Sequence, residues 1–398
     1  MNYVIQKFGG TSLTHFDKRL QVIDKIKQAL ANGFFPIVVV SAMGRQGDPY
    51  ATDSLLELLP ACKHQPLITD FLMACGENIS AALLAQELCS QDIKAMPFTG
   101  FQAGIITSSL HNHAEVIRVE SQQLTRSIHQ GIVPIVTGFQ GISEDGLITT
   151  LGRGGSDTTA CILGEALKAS CIEIYTDVDG IMTADPKLVE EAKLLTDLFY
   201  NDAYQMAEYG AKVIHPKAVA VAMRSNIPLY VKNTCSNAPG TLITNSWQPQ
   251  NSHACLATSI VNRSKALLTV LFDGSAGPLE NDDQLLSLIA NENLELSIVE
   301  ITPLKKVFLV DISKINLFQN LLFSKGYHLE ITDHCSEINI LGIGENQLTK
   351  VISKTISILS TQNIPWINLS DSLRGVSCLI HQQYEKKAID ALYHQLLV

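Results

Sequence analysis

A lysine ahead of one pair of glycines and an arginine ahead of another are the residues of this chain best suited to handling anions. The first group is Lys7-Phe8-Gly9-Gly10-Thr11-Ser12, and the second is Leu151-Gly152-Arg153-Gly154-Gly155-Ser156-Asp157-Thr158-Thr159. Glycine lets backbone N–H groups converge on one cluster of oxygens. Lys7 supplies a point charge, and Arg153 a planar fork that can grip a carboxylate or phosphate at two points. One such loop carries little weight. Two, with Asp157 beside the second, suggest a site that brings two anions together. Taken alone, the first hexapeptide fits a tight strand-end turn with a surface lysine better than a phosphate loop. The second fits an ordinary capped helix start equally well. Neither the Gly-x-x-x-x-Gly-Lys-Ser/Thr pattern nor Gly-x-Gly-x-x-Gly occurs, so the P-loop and dinucleotide signatures are missing.

Further residues could join such a site. Ser156 and Asp157 are N-cap types directly before a helical run, whose free N–H groups and positive dipole end suit an anion. The run Ile174-Tyr175-Thr176-Asp177-Val178-Asp179-Gly180 reads as a strand entering an acidic loop that continues through Met182, Asp185 and Lys187. Ligands of open α/β sheets collect at such strand ends. The same stretch could be a solvated turn; as a Ca²⁺ loop it lacks the terminal Glu. Glu77 is expected in the first turn of an apolar helix, where stabilising the helix dipole is an ordinary role, and Thr52 is expected to cap another helix. His111 and His113 lack the further ligands of a metal site and fit a solvated loop. Lys212 and His215 carry no signal by spacing.

The elements that must position these residues follow from apolar periodicity. Tyr3–Phe8, Ile37–Val40, Ile132–Thr137 and Cys171–Thr176 read as strands; Phe16–Ala31, Ile79–Leu88 and Asp157–Lys168 read as helices. The alternation predicts an α/β domain with a largely parallel sheet. A turn-rich stretch, Asn233–Ala254, ends it. Beyond it two βαββαβ units are expected: Ala266–Phe272, Asp282–Asn291, Leu294–Ile301, Val307–Ile312, Asn316–Lys325 and Tyr327–Asp333, then Glu337–Ile343, Gln347–Gln362, Trp366–Leu369, Val376–His381 and Lys386–Leu397. No catalytic cluster falls there, which points to regulation or assembly.

Composition sets bounds. The chain has 398 residues, 46% of them hydrophobic, and a formal net charge of −10. That charge disfavours nucleic acid as a partner, and any positive site must be local. No apolar run is read as membrane-length. The nine cysteines contain no Cys-x-x-Cys pair and fit free thiols of a reducing cytoplasm.

Taken jointly, the motifs resemble the aspartate kinase branch of the amino-acid kinase family. The resemblance covers essentially all of residues 1–245, through KFGGTS, VVVSAMG, the Gly76-Glu77-Asn78 helix start, TGFQG, TTLGRGGSDTT, EIYTDVDGI, TADP, GAKVIHPKAV and PGTLI. It implies a three-layer sandwich in residues 1–245, followed by two ferredoxin-like ACT modules at 255–334 and 335–398. It also implies phosphorylation of the L-aspartate β-carboxylate by ATP with Mg²⁺, at the head of lysine, diaminopimelate, threonine and methionine biosynthesis. Lys7 and Asp157 would be catalytic, Asp157 orienting Lys7. Ser41, Thr52, Glu77, Arg153, Gly154, Gly155 and Ser156 would bind aspartate. Phe8, Gly9, Gly10, Thr176, Asp177, Met182, Asp185, Lys187 and Lys212 would join Lys7 on the nucleotide side, and no protein-held metal is expected. A homodimer or higher oligomer and an amino-acid effector are implied partners. Met182 stands where the family often has Tyr, and His111-Asn112-His113-Ala114-Glu115 departs from the family's His-Gly-Asn-Ala-Arg. The loops at Gly274–Pro278 and Gly344–Gln347 lack the Pro-Gly common in effector loops. A glutamate or acetylglutamate kinase and an inactive amino-acid sensor are the alternatives.

Overall fold

The structure, a computed structural model, describes residues 2–60, 65–211, 213–245, 256–272, 278–291, 296–344, 346–372 and 375–397. Two compact units emerge: residues 1–182 with 193–250, and residues 183–192 with 251–398.

The first unit is built on an eight-stranded sheet in the order Asp197–Leu198, Thr241–Ile243, Leu229–Asn233, Cys171–Thr176, Asn2–Phe8, Phe34–Val40, Val133–Thr137, Ala95–Phe98. All its pairings are parallel except Leu229–Asn233 with Thr241–Ile243. Side chains alternate across a strand. Phe8, Val38, Val40 and Ile135 therefore meet the helices Phe16–Ala31 and Pro66–Cys89 through Val22, Ile23, Ile26, Ala81, Leu84 and Leu88. Lys7 points the other way, toward the helix Gly155–Leu167. That helix presses close to the sheet at Gly164, where a Cβ would stand 2.8 Å from Ile172 Cδ1. A smaller sheet, in the order Val116–Val119, Ile105–Thr107, Gln140–Ser143, Ile148–Thr150, ends just before the second glycine loop.

Two helices of this unit start elsewhere than the sequence suggests. The predicted helix Ile79–Leu88 runs from Pro66 to Cys89, with proline at its first position. Glu77 is thus mid-helix, which removes a first-turn dipole role. Among the described residues this is the one helix long and apolar enough to cross a membrane. Its buried Met73, Ala81, Leu84 and Leu88, together with buried Asp70 and Glu77, make it a core helix of this unit. The helix predicted from Asp157 starts at Gly155, and its cap is Gly154 in the left-handed conformation. Ser156 and Asp157 occupy the first turn instead of capping it.

The second unit holds a six-stranded antiparallel sheet in the order Ser297–Thr302, Lys305–Asp311, Ser259–Leu271, His328–Leu341, Gly375–His381, Trp366–Ser372. Its ferredoxin-like modules share strands. Ser259–Lys265 pairs with Cys335–Leu341, while Leu267–Leu271 pairs with His328–Thr332. Residues 255–334 and 335–398 therefore interleave, because the opening strand belongs partly to the later module. Phe318, Leu322 and Leu285 pack on Leu268, Val270 and Phe308; Val351, Ile358, Ile389 and Leu392 pack on Ile260, Ile338, Ile340 and Cys378. The segment 183–192 belongs to this second core through Ala184 and Val189. Tyr393 holds it, its hydroxyl paired with Thr183 Oγ1 at 3.1 Å and bonded to Glu191 O at 3.0 Å. The loop at Gly274–Pro278 lies almost wholly outside the described residues, as does Glu345 of the second loop.

Candidate active site

Lys7 is the next-to-last residue of a central strand, flanked by Val39 and Ile174 on its neighbours. Its Nζ lies 2.6 Å from Asp157 Oδ1, with both side chains largely shielded from solvent. Strand alternation and the helix start at Gly155 together produce this pair. Next to it Gly9 N–H donates to Tyr175 O at 3.2 Å, and Gly44 N–H to Gly10 O at 3.0 Å. A Cβ on Gly10 would stand 2.4 Å from Ala42 O, so the second glycine of this pair is required by a close approach of two strand-end loops. Phe8 stacks on Tyr175 at 4.8 Å and is fully buried. Only its backbone is available to a ligand, and its carbonyl already accepts from Ser41 N–H.

Glu77 reaches the same end of the sheet from mid-helix. Its Oε1 accepts from Ala42 N–H at 3.0 Å, and its Oε2 has no hydrogen-bond partner among the described residues. Burial pushes its pKa up to about 8, against the Ala42 hydrogen bond. A carboxyl with one oxygen unpaired, beside Ser41 and Ala42, can receive a cationic group once it ionises. Thr52 begins the short helix Thr52–Leu56, whose cap position is Ala51, so the expected Thr52 cap is not formed.

The second glycine loop is held on several sides. Gly152 and Gly154 both have positive φ. A Cβ on Gly152 would meet Asn112 O at 2.9 Å, and one on Gly155 the Phe139 ring at 2.7 Å. Ser156 packs on Gly138, where a Cβ would be 2.7 Å away. Arg153 is exposed and, among the described residues, has no ion-pair partner. His111 is not in a solvated loop as expected. Its Nδ1 lies 2.7 Å from Oδ2 of fully buried Asp70, which also accepts from Asn112 N–H at 3.1 Å and Thr150 Oγ1 at 2.5 Å.

On the remaining side Thr176 Oγ1 donates to Asp177 Oδ1 at 3.3 Å, and Asp177 pairs with Arg45. Met182 bridges Leu194 at the edge of the first unit. Asp185 and Lys187 belong to the second unit, where Lys187 N–H donates to Asp185 Oδ1 at 2.9 Å. Lys212 lies outside the described residues. Motif spacing does not reveal Arg45, Asp70, Gly138 or His215, because each acts on the glycine loops or Asp177 from a distant part of the chain. His215, silent by spacing, has its ring against Gly154. Among the described residues no group of three His, Cys, Asp or Glu could hold a metal ion.

Comparison with known proteins bears on this arrangement. Residues 2–233 match the amino acid kinase family and residues 330–394 the ACT domain. Aspartokinase 1 of Bacillus subtilis (strain 168) is 37% identical over 398 residues, covering 99% of this chain and 98% of its own. An aspartokinase of Geobacillus stearothermophilus is 31% identical, over 99% of this chain and 97% of its own. The E. coli aspartokinase III structure in complex with aspartate and ADP (R-state) superposes with a TM-score of 0.81 at 25% identity, over 100% of both chains. The same enzyme in complex with lysine and aspartate (T-state) gives 0.75.

Proposed function

Since the chain belongs to the amino acid kinase family and spans aspartokinases nearly end to end, we propose that it is an aspartate kinase. It transfers the γ-phosphoryl group of ATP to the β-carboxylate of L-aspartate, giving 4-phospho-L-aspartate and ADP. The observation that carries this reading is the Lys7–Asp157 pair between two glycine loops, with Glu77 buried and half-satisfied nearby. In the reaction a carboxylate oxygen forms a bond to the γ-phosphorus as the bond to the bridging oxygen breaks, and ADP leaves with that electron pair. The attacking carboxylate is already ionised, so no general base is needed. What remains for the protein is to hold two anions together and neutralise charge in the transition state.

Lys7 does this for the transferring oxygens, with Asp157 fixing its ammonium. Arg153 binds a carboxylate of aspartate through its fork. Ionised Glu77 receives the ammonium of aspartate, with Ser41 and Thr52 near it, and the amides of Gly154 and Ser156 complete the substrate side, while Gly155 N–H donates to Gly152 O at 3.0 Å and holds the loop's shape. Gly9, Gly10, Thr176 and Asp177 flank the phosphates of ATP, and Met182 is a further nucleotide contact in the same unit. Mg²⁺ would accompany those phosphates. It would supply charge neutralisation there. The free cysteines among the described residues, buried Cys161, Cys335 and Cys378 included, support a reducing, cytoplasmic setting. The sheet of the second unit supports a homodimer, and the ACT relationship supports an amino-acid effector.

The test is ADP release with and without aspartate, glutamate serving as control. Release that depends on aspartate and not on glutamate is expected. Equal release with glutamate, or none with either, would remove the assignment.

A further inference from the structure

The second glycine loop is braced by a ring from outside its own segment. Gly154 sits at φ +70°. A Cβ there would stand 2.1 Å from His215 Cγ, 2.3 Å from its Cβ and 2.4 Å from its Cδ2. The imidazole thus fills the space that any other residue at 154 would need. A second contact fixes the ring's rotation. His215 caps the helix Pro216–Ser225, its Nδ1 accepting from Lys217 N–H at 3.3 Å. An accepting Nδ1 bears no proton, so the neutral ring carries its proton on Nε2. Among the described residues the charged groups facing it are Asp157 on the glycine-loop helix, Glu208 on the helix Tyr200–Glu208, and Lys217 on its own helix. Burial lowers the His215 pKa from its ordinary value, with Asp157 acting in the opposite sense.

We infer that His215 is a positioning residue for phosphoryl transfer: its neutral ring clamps the left-handed turn at Gly154 and so aims Arg153 and the Ser156 amide in the first turn of Gly155–Leu167 at the substrate. Protonation undoes the clamp in two ways. A proton on Nδ1 opposes the Lys217 N–H donor and breaks the cap. The new cation also competes with Lys7 for Asp157. Turnover at saturating aspartate should therefore fall on the acid side as His215 takes up its proton. This rests on the aspartate kinase reading.

The experiment compares the full chain with His215→Asn and His215→Phe, measuring initial rates across pH with aspartate and ATP each varied. Asparagine keeps a capping oxygen for Lys217 N–H but removes the ring from Gly154. Its kcat/KM for aspartate should fall about tenfold, since displacements well under 1 Å already matter at such a site. The KM for ATP should stay within about twofold, because the loop is on the substrate side. Phenylalanine restores a ring and cannot titrate, and should lose only about threefold. Both variants should lose the acid limb of kcat, which reports groups of the bound complex. An asparagine variant with wild-type kcat/KM and an unchanged acid limb would overturn the inference. So would loss of efficiency tracking only a lower urea midpoint, with the limb intact. If the wild-type chain released no ADP in response to aspartate, the substrate assignment would fail instead, a result distinct from either variant outcome.

Discussion

Glu77 enters the site as a carboxyl group that holds its proton. With a pKa near 8, raised by burial, it is mostly neutral at pH 7. An aspartate ammonium is best received by the ionised form, so aspartate binding should tighten as pH rises. From one pH unit below that pKa to one above it, the ionised fraction grows about tenfold, and the KM for aspartate should fall by a similar factor. Stability runs the other way. Between 4.5, the ordinary value for a glutamate carboxyl, and about 8, the folded chain keeps a proton that the unfolded chain has lost. Glu77 thus favours folding fully below the lower value, and that contribution is lost as pH rises through the upper one. Glu77→Gln keeps the Ala42 contact and cannot ionise. It should abolish the pH dependence of the aspartate KM and raise it at high pH, without lowering the thermal midpoint; titration of KM against pH for both proteins decides this. Lys7 acts on a different quantity. Its charge matters most when negative charge spreads over the transferring oxygens, and its removal leaves Asp157 uncompensated in a shielded place. Lys7→Ala should lower kcat about 10²-fold or more while the KM for ATP changes less. A folded variant with near-normal kcat would contradict that role.

Asp70 governs one whole side of the second glycine loop. It lies in the helix Pro66–Cys89 and ties down His111, Asn112 and Thr150, the last just ahead of Gly152. Asp70→Ala leaves these donors without an acceptor in a buried place, which should cost about 3 kcal/mol in urea unfolding. It should also raise the KM for aspartate more than that for ATP, because the loss falls on the loop that carries Arg153. A variant as stable as the parent would show that the network is dispensable. The same helix shows where sequence reading reaches its limit. Thr69, Asp70, Gly76 and Glu77 are buried without being apolar, so they interrupt the periodic signal and cut the apparent helix to Ile79–Leu88. The central strands are legible because runs such as Val38–Val40 are buried on both faces. The two glycine loops are legible because their residue types serve chemistry locally. His215 and Arg45 are not, since what they touch is fixed by long-range packing. Nor can spacing reveal that Ser259–Leu271 pairs along both halves of His328–Leu341.

The chain crosses between its two compact units more often than a single linker would suggest. Residues 183–192 leave the first unit and bury Ala184 and Val189 in the second core before the chain returns at Lys193. A fragment ending at residue 250 would strip that segment of its packing, and limited proteolysis should cut it within 183–192 while the full chain resists there. A fragment as resistant as the full chain would show that the segment is stable by itself. The sheet of the second unit ends in the edge strands Ser297–Thr302 and Trp366–Ser372, which expose Ile298, Ile301 and Trp366. Such edges favour pairing with another copy. Sedimentation should accordingly find a dimer of the full chain and a monomer of the fragment; a dimeric fragment would place the interface elsewhere. The reaction itself is the property of the whole molecule that matters most, and hydroxylamine tests it directly. An acyl phosphate released by the enzyme is trapped as a hydroxamate. With ATP and aspartate, aspartate β-hydroxamate should accumulate in step with ADP, and no hydroxamate should form from glutamate. ADP formed without hydroxamate, or a glutamyl hydroxamate in its place, would contradict phosphorylation of the aspartate β-carboxylate.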